Sequence, residues 1–222
     1  MIKQRWFVLF SILLLLLIGG CTNTKTNNNA NKGTTPKVKP AATKSAVPGD
    51  YFPLKAGSTW TYQGAGNEYA SFERQVEYVK NDFAQVREAN GGTVSASVYQ
   101  TTDRAVTRVY TRGESYNNKN ILNGGFTSND KTVIIQGPMK NGNSWQNDDN
   151  IKRRIVSLKA AMDTPSGSFT NCLHIRMDGP DYVIHEYYGK GVGLVKREFV
   201  SNGETVSSTL TGYRIGAAKG SD

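Results

Sequence analysis

The side chains with the clearest capacity for metal chemistry are two histidines and a cysteine in the C-terminal half of the chain. His174 and His185 are the only histidines among the 222 residues. They lie in adjacent candidate strands joined by residues 178–181, and if those four residues form the loop, His174 faces His185 and Cys172 faces Tyr187. Two imidazoles and a thiol are suitable ligands for zinc or copper.

Two features weaken that metal hypothesis. A shift of one residue in strand register would place the two histidines on opposite faces, and no fourth ligand is evident. The residues that alternate with Cys172 and His174 are apolar and predict a core face: Phe169, Leu173, Ile175 and Met177. We therefore predict no metal site and no cofactor, and we leave open whether Cys172, His174 and His185 converge.

Other patterns associated with catalysis or ion binding are weak or missing. Asn147 to Asn150 could offer oxygen ligands to calcium, but the segment lacks the alternating spacing of a calcium loop and is typical of a polar turn. The chain has no GxSxG, HExxH, CxxC or GxxxxGK[ST] motif. Residues 189–193, GKGVG, are not followed by a helical pattern and predict a turn. We expect no catalytic residues and no enzyme activity.

The N-terminus has the pattern of an export signal. Lys3 and Arg5 precede an apolar stretch from Trp6 to Ile18, which is too short to span a membrane as a helix. The next residues complete Ile18-Gly19-Gly20-Cys21, which resembles the lipobox of bacterial lipoproteins. That resemblance implies a signal peptide over 1–20 and a diacylglycerol, with palmitate-type acyl chains, on Cys21.

The positive charge of the chain belongs mainly to this N-terminal region. Residues 21–49 contain five lysines, no acidic residue and few apolar side chains, which predicts a disordered tether. Seven of the 27 basic residues precede Asp50, so from Asp50 onward 20 basic residues face 18 acidic ones. The net charge of +9 therefore does not indicate a nucleic-acid interface.

Residues 50–216 predict a single all-β domain, followed by a disordered tail at 217–222. Turn signals recur every 8 to 12 residues, and no segment shows helical periodicity. Short loops between neighbouring strands require antiparallel pairing. The expected fold is an antiparallel sandwich or a curved half-barrel of about ten strands. Residues 115–130 form the one long irregular connection.

A repeated phrase indicates that this domain contains two related β half-units. PLKAGSTW at 53–60 is echoed by PMKNGNSW at 138–145, and each phrase has a proline, a glycine and a tryptophan before a new strand. We expect Trp60 and Trp145 to lie in a shared core, because buried aromatic rings contribute large apolar areas. The alternative is that the two rings line an opening for an apolar ligand.

Three stretches resemble a group of uncharacterised bacterial lipoproteins of Gram-positive, clostridia-like organisms, similar in outline to TapB-like domains of unknown function. They are YFPLKAGSTWTYQGAGNEYASF, SGSFTNCLHI and EYYGKGVGLVKREFV. The resemblance implies a secreted, lipid-anchored β domain and names no catalytic residue.

These observations together predict an extracytoplasmic lipoprotein held at the cell membrane through Cys21. Its β domain would serve as a non-catalytic binding or scaffolding module, with an envelope protein as a possible partner. The alternative is a carrier of a lipid or another apolar ligand in a half-barrel cavity, since a curved antiparallel sheet can enclose such a space.

Overall fold

The computed structural model describes residues 45–217 as a single antiparallel sheet of twelve strands. The strands are β1 Thr59–Ala65, β2 Phe72–Lys80, β3 Phe83–Ala89, β4 Val94–Thr101, β5 Ala105–Arg112, β6 Thr132–Gln136, β7 Ser144–Gln146, β8 Lys152–Thr164, β9 Gly167–Asp178, β10 Tyr182–Gly189, β11 Gly193–Ser201 and β12 Glu204–Arg214. A short helix, α1 (Ile121–Gly124), interrupts the long connection between β5 and β6, and 3₁₀ turns cover Pro48–Tyr51 and Glu68–Ala70. The predicted signal peptide, Cys21, the tether up to residue 44 and residues 218–222 lie outside the described residues.

Most strands pair with their neighbours in the chain. The order across the sheet is β6-β5-β4-β3-β2-β1-β12-β11-β10-β9-β8-β7, so the two halves of the domain join where β1 pairs with β12. The prediction of an all-β, curved antiparallel sheet is confirmed. The strand count exceeds the expected ten because each tryptophan segment forms a strand of its own.

Side chains bridge the gap between the edge strands β6 and β7. Trp145 donates its indole N–H to the Val133 carbonyl oxygen at 3.0 Å, and the Asn147 amide bonds to both backbone groups of Val133 at 3.0 and 3.1 Å. Asn143 donates to the Gln136 carbonyl oxygen at 2.7 Å. The sheet is therefore nearly closed into a barrel, with side-chain bonds in place of the last ladder.

The two echo phrases adopt the same hydrogen-bonded turn. Gly57 donates to the carbonyl oxygen of Val76 at 2.9 Å, and Gly142 donates to that of Ile155 at 2.8 Å. Both glycines have positive φ, 76° and 84°, a backbone region that side chains with a Cβ disfavour. The two phrases thus lead into the first strand of each half-unit. The half-units comprise β1–β6 and β7–β12.

The strand registers repeat as well. Trp60 lies opposite Arg74, and Trp145 lies opposite Arg153. A bulge follows Val76 between β2 and β3, and one follows Ile155 between β8 and β9. Bulges also come directly before Tyr99 in β4 and before Tyr188 in β10, whereas two further irregularities between β8 and β9 have no counterpart between β2 and β3. Because bulges are specific local features, their recurrence indicates a structural duplication.

Both tryptophans belong to the core. Trp60 is 4% exposed and Trp145 is 7% exposed. Trp60 donates its indole N–H to the Val192 carbonyl oxygen at 2.6 Å, as Trp145 does to Val133. Their indole N–H groups are satisfied within the protein, so each ring serves the core of its half-unit, and Trp60 also borders a pocket of about 110 Å³.

The packed structure also includes residues just before the strands. Ala46 packs against the core and Pro48 is buried. Within residues 45–217, no helix has the length and apolar character needed to cross a membrane.

Candidate functional site

The concave side of the sheet contains a cavity of about 360 Å³ with a strongly charged lining. Four arginines and three carboxylates contribute to it: Arg74, Arg108, Arg153, Arg197, Glu88, Asp149 and Glu186. Charged side chains are rarely buried without partners, and each of these carboxylates bonds to one of the arginines. This concentration of paired charge makes the cavity the candidate functional site.

Arg74 and Glu88 form the deepest ion pair of the lining. They lie opposite each other in β2 and β3, and Arg74 donates from Nε and Nη2 to one Glu88 oxygen at 3.0 and 2.8 Å. Burial alone would lower the pKa of Arg74, but the Glu88 carboxylate raises it above its usual range. Burial would likewise raise the pKa of Glu88, and Arg74 with Arg197 lowers it overall. Both groups are therefore charged at neutral pH.

Three aromatic rings surround the Arg74 guanidinium. Its Cζ atom lies 5.5 Å from the centroid of Phe72, 5.7 Å from that of Phe52 and 6.0 Å from that of Tyr62. Ring faces attract cations at such distances. The rings and Glu88 together fix the position of Arg74.

A second buried network lies on β10 and β11. Glu186, only 4% exposed, accepts from Arg197 Nε at 2.7 Å and from the Tyr188 hydroxyl at 2.6 Å. Burial raises the pKa of Tyr188 well above its usual value, and the neighbouring Glu186 raises it further. Tyr188 therefore stays a hydrogen-bond donor throughout the physiological range.

The remaining arginines of the lining are paired near β6 and β7. Arg153 makes a bidentate contact with Asp149, at 3.0 and 2.6 Å. That hydrogen bonding lowers the pKa of Asp149. Arg108 donates through Nε to Asp130 at 2.5 Å. The 147–150 segment that could have offered calcium ligands is thus occupied in holding Arg153 and Val133.

The two half-units differ at equivalent positions in the cavity wall. Ser97 faces Thr111 in the first half, and their hydroxyl oxygens lie 3.1 Å apart. The positions that match them in the second half hold Glu186 and Arg197. One wall consequently offers hydroxyl groups and the other an ion pair.

Two further pockets of about 440 and 550 Å³ lie outside this cavity, and Val79 contributes to both. Their linings include Leu54 and Lys55. The Asp50–Lys190 pair in the smaller pocket is largely exposed, so these pockets differ from the cavity and its buried ion pairs.

The histidine cluster forms with a register different from the expected one. Asp178 pairs with Val183, so that His174 lies opposite Tyr187 and His185 lies opposite Arg176. The direct opposition that a loop of residues 178–181 would give does not occur, because the pairing of Asp178 with Val183 shifts the connection one position later.

The two imidazoles nevertheless meet as diagonal neighbours. His174 Nε2 and His185 Nδ1 are 2.9 Å apart, and the His174 ring stacks on Tyr187 with centroids 4.3 Å apart. Cys172 is fully buried, and burial raises the pKa of its thiol. Within residues 45–217, no three His, Cys, Asp or Glu side chains are grouped so that they could hold a metal ion.

The histidine pair makes stability depend on pH. Burial and the neighbouring His185 lower the pKa of His174 to about 4, compared with about 6.5 for an unfolded histidine. Between pH 6.5 and pH 4, residue 174 binds more protons in the unfolded chain than in the folded protein. The contribution of neutral His174 to the free energy of unfolding is therefore complete above pH 6.5 and is lost as the pH falls toward 4. Because His174 is partly exposed, we expect a loss of about 1–2 kcal/mol.

Urea unfolding of the wild type and of His174→Phe at pH 7 and pH 4.5 measures this effect. The phenyl ring preserves the stacking on Tyr187 but cannot titrate, so the variant should lose less stability on acidification. Carboxylates that titrate in the same range affect both proteins equally. An equal loss in both proteins would contradict the assignment to His174.

Sequence patterns contained little indication of the charged cavity. Arg74 was expected on the same strand face as Phe72 and Val76, which is the face that lines the interior. An arginine at an inward position of both long strands, Arg74 and Arg153, was the available signal. The acidic partners could not be assigned, because they come from other strands or from a turn.

Comparisons with known proteins identify no family. No family model matches the chain, and no curated protein matches it. The resemblance to TapB-like domains therefore stays a prediction.

Two solved structures are similar to the chain. One is described as a "putative lipoprotein" from Parabacteroides distasonis, with 15% identity, a TM-score of 0.45, and coverage of 74% of this chain and 98% of that one. The other is a "putative exported protein with YmcC-like fold" from Bacteroides fragilis, with 16% identity, a TM-score of 0.43 and the same coverages. At this distance neither similarity identifies a function or a location for this chain.

Proposed function

We propose that this protein is a lipid-anchored, extracytoplasmic binding module whose ligand occupies the charged cavity of the duplicated sheet. The charged cavity is the observation that supports this proposal most strongly. Folding removes Arg74, Arg153 and Glu186 from water. This often costs more free energy than burying apolar residues of similar volume. A volume of about 360 Å³ also falls within the usual range for small-molecule sites.

The location in this proposal rests on the N-terminal pattern. The apolar stretch and Ile18-Gly19-Gly20-Cys21 support export and lipidation, and the lysine-rich segment to residue 44 supports a tether. A module displayed in this way would meet its ligand outside the cytoplasmic membrane.

The lining favours a polar ligand over the apolar one that a curved sheet could have enclosed. Guanidinium and carboxylate groups dominate the wall, and a wholly apolar molecule would desolvate them without replacing their contacts with water. The same lining offers no catalytic arrangement that we recognise, so we propose binding without chemistry.

Native mass spectrometry with a blocked cavity tests this proposal. Ser95 lines the cavity opposite Glu88, and a phenylalanine there would place its ring in the ligand's space. We expect protein extracted from membranes without refolding to carry a small-molecule adduct, and Ser95→Phe to lose most of it.

Thr205→Phe is the matched control, because it adds the same ring at an exposed position of β12. It should keep the adduct. An adduct that is equally abundant in Ser95→Phe, or the absence of any adduct in the wild type, would overturn binding in this cavity.

A further inference from the structure

We propose that the ligand of the cavity is a small organic anion whose carboxylate or phosphate oxygens are bound by Arg108 and Arg197. This inference rests on the proposed binding function and adds the chemical class of the ligand. The two arginines enter the same cavity from β5 and β11, one from each half-unit.

The hydrogen-bond donors of these arginines carry the inference. Arg108 contacts Asp130 only through Nε, and Arg197 contacts Glu186 only through Nε. Among residues 45–217, no acceptor bonds to the Nη atoms of either side chain. Each guanidinium therefore presents a pair of Nη groups, the geometry that binds carboxylate or phosphate oxygens in a bidentate manner.

The other two arginines of the lining have different roles. Arg74 uses Nε and Nη2 on Glu88, and Arg153 uses both Nη atoms on Asp149 and the Ile151 carbonyl oxygen. Arg108 and Arg197 are also more accessible, with side chains 33% and 36% exposed, compared with 7% for Arg74. Arg74 and Arg153 hold the cavity wall through their ion pairs. The more accessible Arg108 and Arg197 face the ligand.

The cluster of guanidinium groups in the cavity also favours an anion. Each of the four arginines bonds to one carboxylate, with Asp130 as the partner of Arg108, so the ion pairs balance in charge. Arg74 and Arg197 lie near each other, with their Cζ atoms 5.5 and 6.0 Å from the same Phe72 centroid. An anion would be attracted to this group of cations, whereas a cationic ligand would compete with arginine for carboxylates that are already bonded.

Other lining groups fit an organic molecule better than a bare inorganic ion. Ile134, Met177 and Ile184 supply apolar surface, and Ser95 offers a hydroxyl group. A carbon skeleton could pack on the apolar residues while its acidic group reaches the arginines.

Isothermal titration with three probes that share one sugar ring tests the charge requirement. Glucuronate carries a carboxylate, glucose 6-phosphate carries a phosphate, and glucose carries neither. We expect at least one anionic probe to bind at low salt and to weaken as salt is raised, and glucose to show no binding. The comparison of the two anions distinguishes a carboxylate ligand from a phosphate ligand.

Two variants connect that binding to the proposed residues. Arg108→Gln and Arg197→Lys should each weaken the anionic probe by about tenfold or more, because each removes charge-assisted hydrogen bonds. Asp130 keeps its bonds to Thr132 in the first variant, and Glu186 keeps a cationic neighbour in the second. Arg112→Gln, an exposed arginine of the same strand as Arg108, should leave the affinity unchanged.

The outcomes separate this inference from the function on which it rests. Equal binding of glucose, unchanged affinity in both arginine variants, or a neutral molecule identified as the native adduct would overturn the anion inference while binding in the cavity stands. If no probe binds and the purified wild type carries no adduct, both proposals fail.

Discussion

Replacing Glu88 with leucine is expected to lower the free energy of unfolding by about 3–5 kcal/mol, the usual cost of breaking a buried ion pair. Arg74 would lose its carboxylate partner while its guanidinium stays buried among Phe52, Tyr62 and Phe72. Chemical denaturation, followed by tryptophan fluorescence, measures the loss.

A double variant shows whether the loss of stability comes from the unpaired, buried charge of Arg74. Arg74→Met together with Glu88→Leu removes both charges and retains apolar volume, so it should recover to within about 1–2 kcal/mol of the wild type. Asp178→Leu is the control, since the Arg176–Asp178 pair is over a third exposed on both sides and should contribute less than about 1 kcal/mol. A double variant as unstable as Glu88→Leu would show that the leucine itself disrupts the wall.

Replacing Cys21 with serine is expected to move the protein from the membrane fraction to the soluble fraction. A lipidated cysteine would anchor the chain through two acyl chains, and each buried CH₂ contributes about 0.8 kcal/mol. Serine cannot accept that modification. Cell fractionation and the intact mass of the N-terminal peptide measure the change.

Cys172→Ser is the matched control for this experiment, because it removes the only other thiol of the chain. Cys172 is buried in the core, so its loss should leave the protein in the membrane fraction. A Cys21→Ser protein that remains membrane-bound after its signal peptide has been removed would contradict lipid anchoring.

The fold could be predicted largely from local patterns. Turn residues and alternating side chains identified the strands, and the echo between 53–60 and 138–145 identified the duplication. Those features depend on residues close together in the chain, which is why sequence was sufficient. The matching turns at Gly57 and Gly142 and the matching bulges before Tyr99 and Tyr188 give the duplication its structural basis.

The cavity could not be predicted in the same way. Arg197 and Glu186 become partners because the β10–β11 bulge sets their register, and Arg108 reaches the same space from the other half-unit. An error of one position in a loop already misplaced the partner of His174. Polar sites built across strands depend on every register between them, and sequence patterns do not determine each register.

The duplication also suggests how a site arose from a structural scaffold. Both halves keep the tryptophan, its opposing arginine and the buried tyrosine. They differ where Ser97 and Thr111 correspond to Glu186 and Arg197. The shared arginines and tyrosines line the cavity together with the divergent positions, so the divergence makes its two walls chemically different.

The most direct test of the central claim is a crystal structure of the protein isolated from membranes without refolding. We predict electron density for a small molecule inside the cavity, with oxygen atoms about 3 Å from the Nη atoms of Arg108 and Arg197. A cavity that holds only ordered water, or that side chains have closed, would contradict the proposal that this protein binds a ligand there.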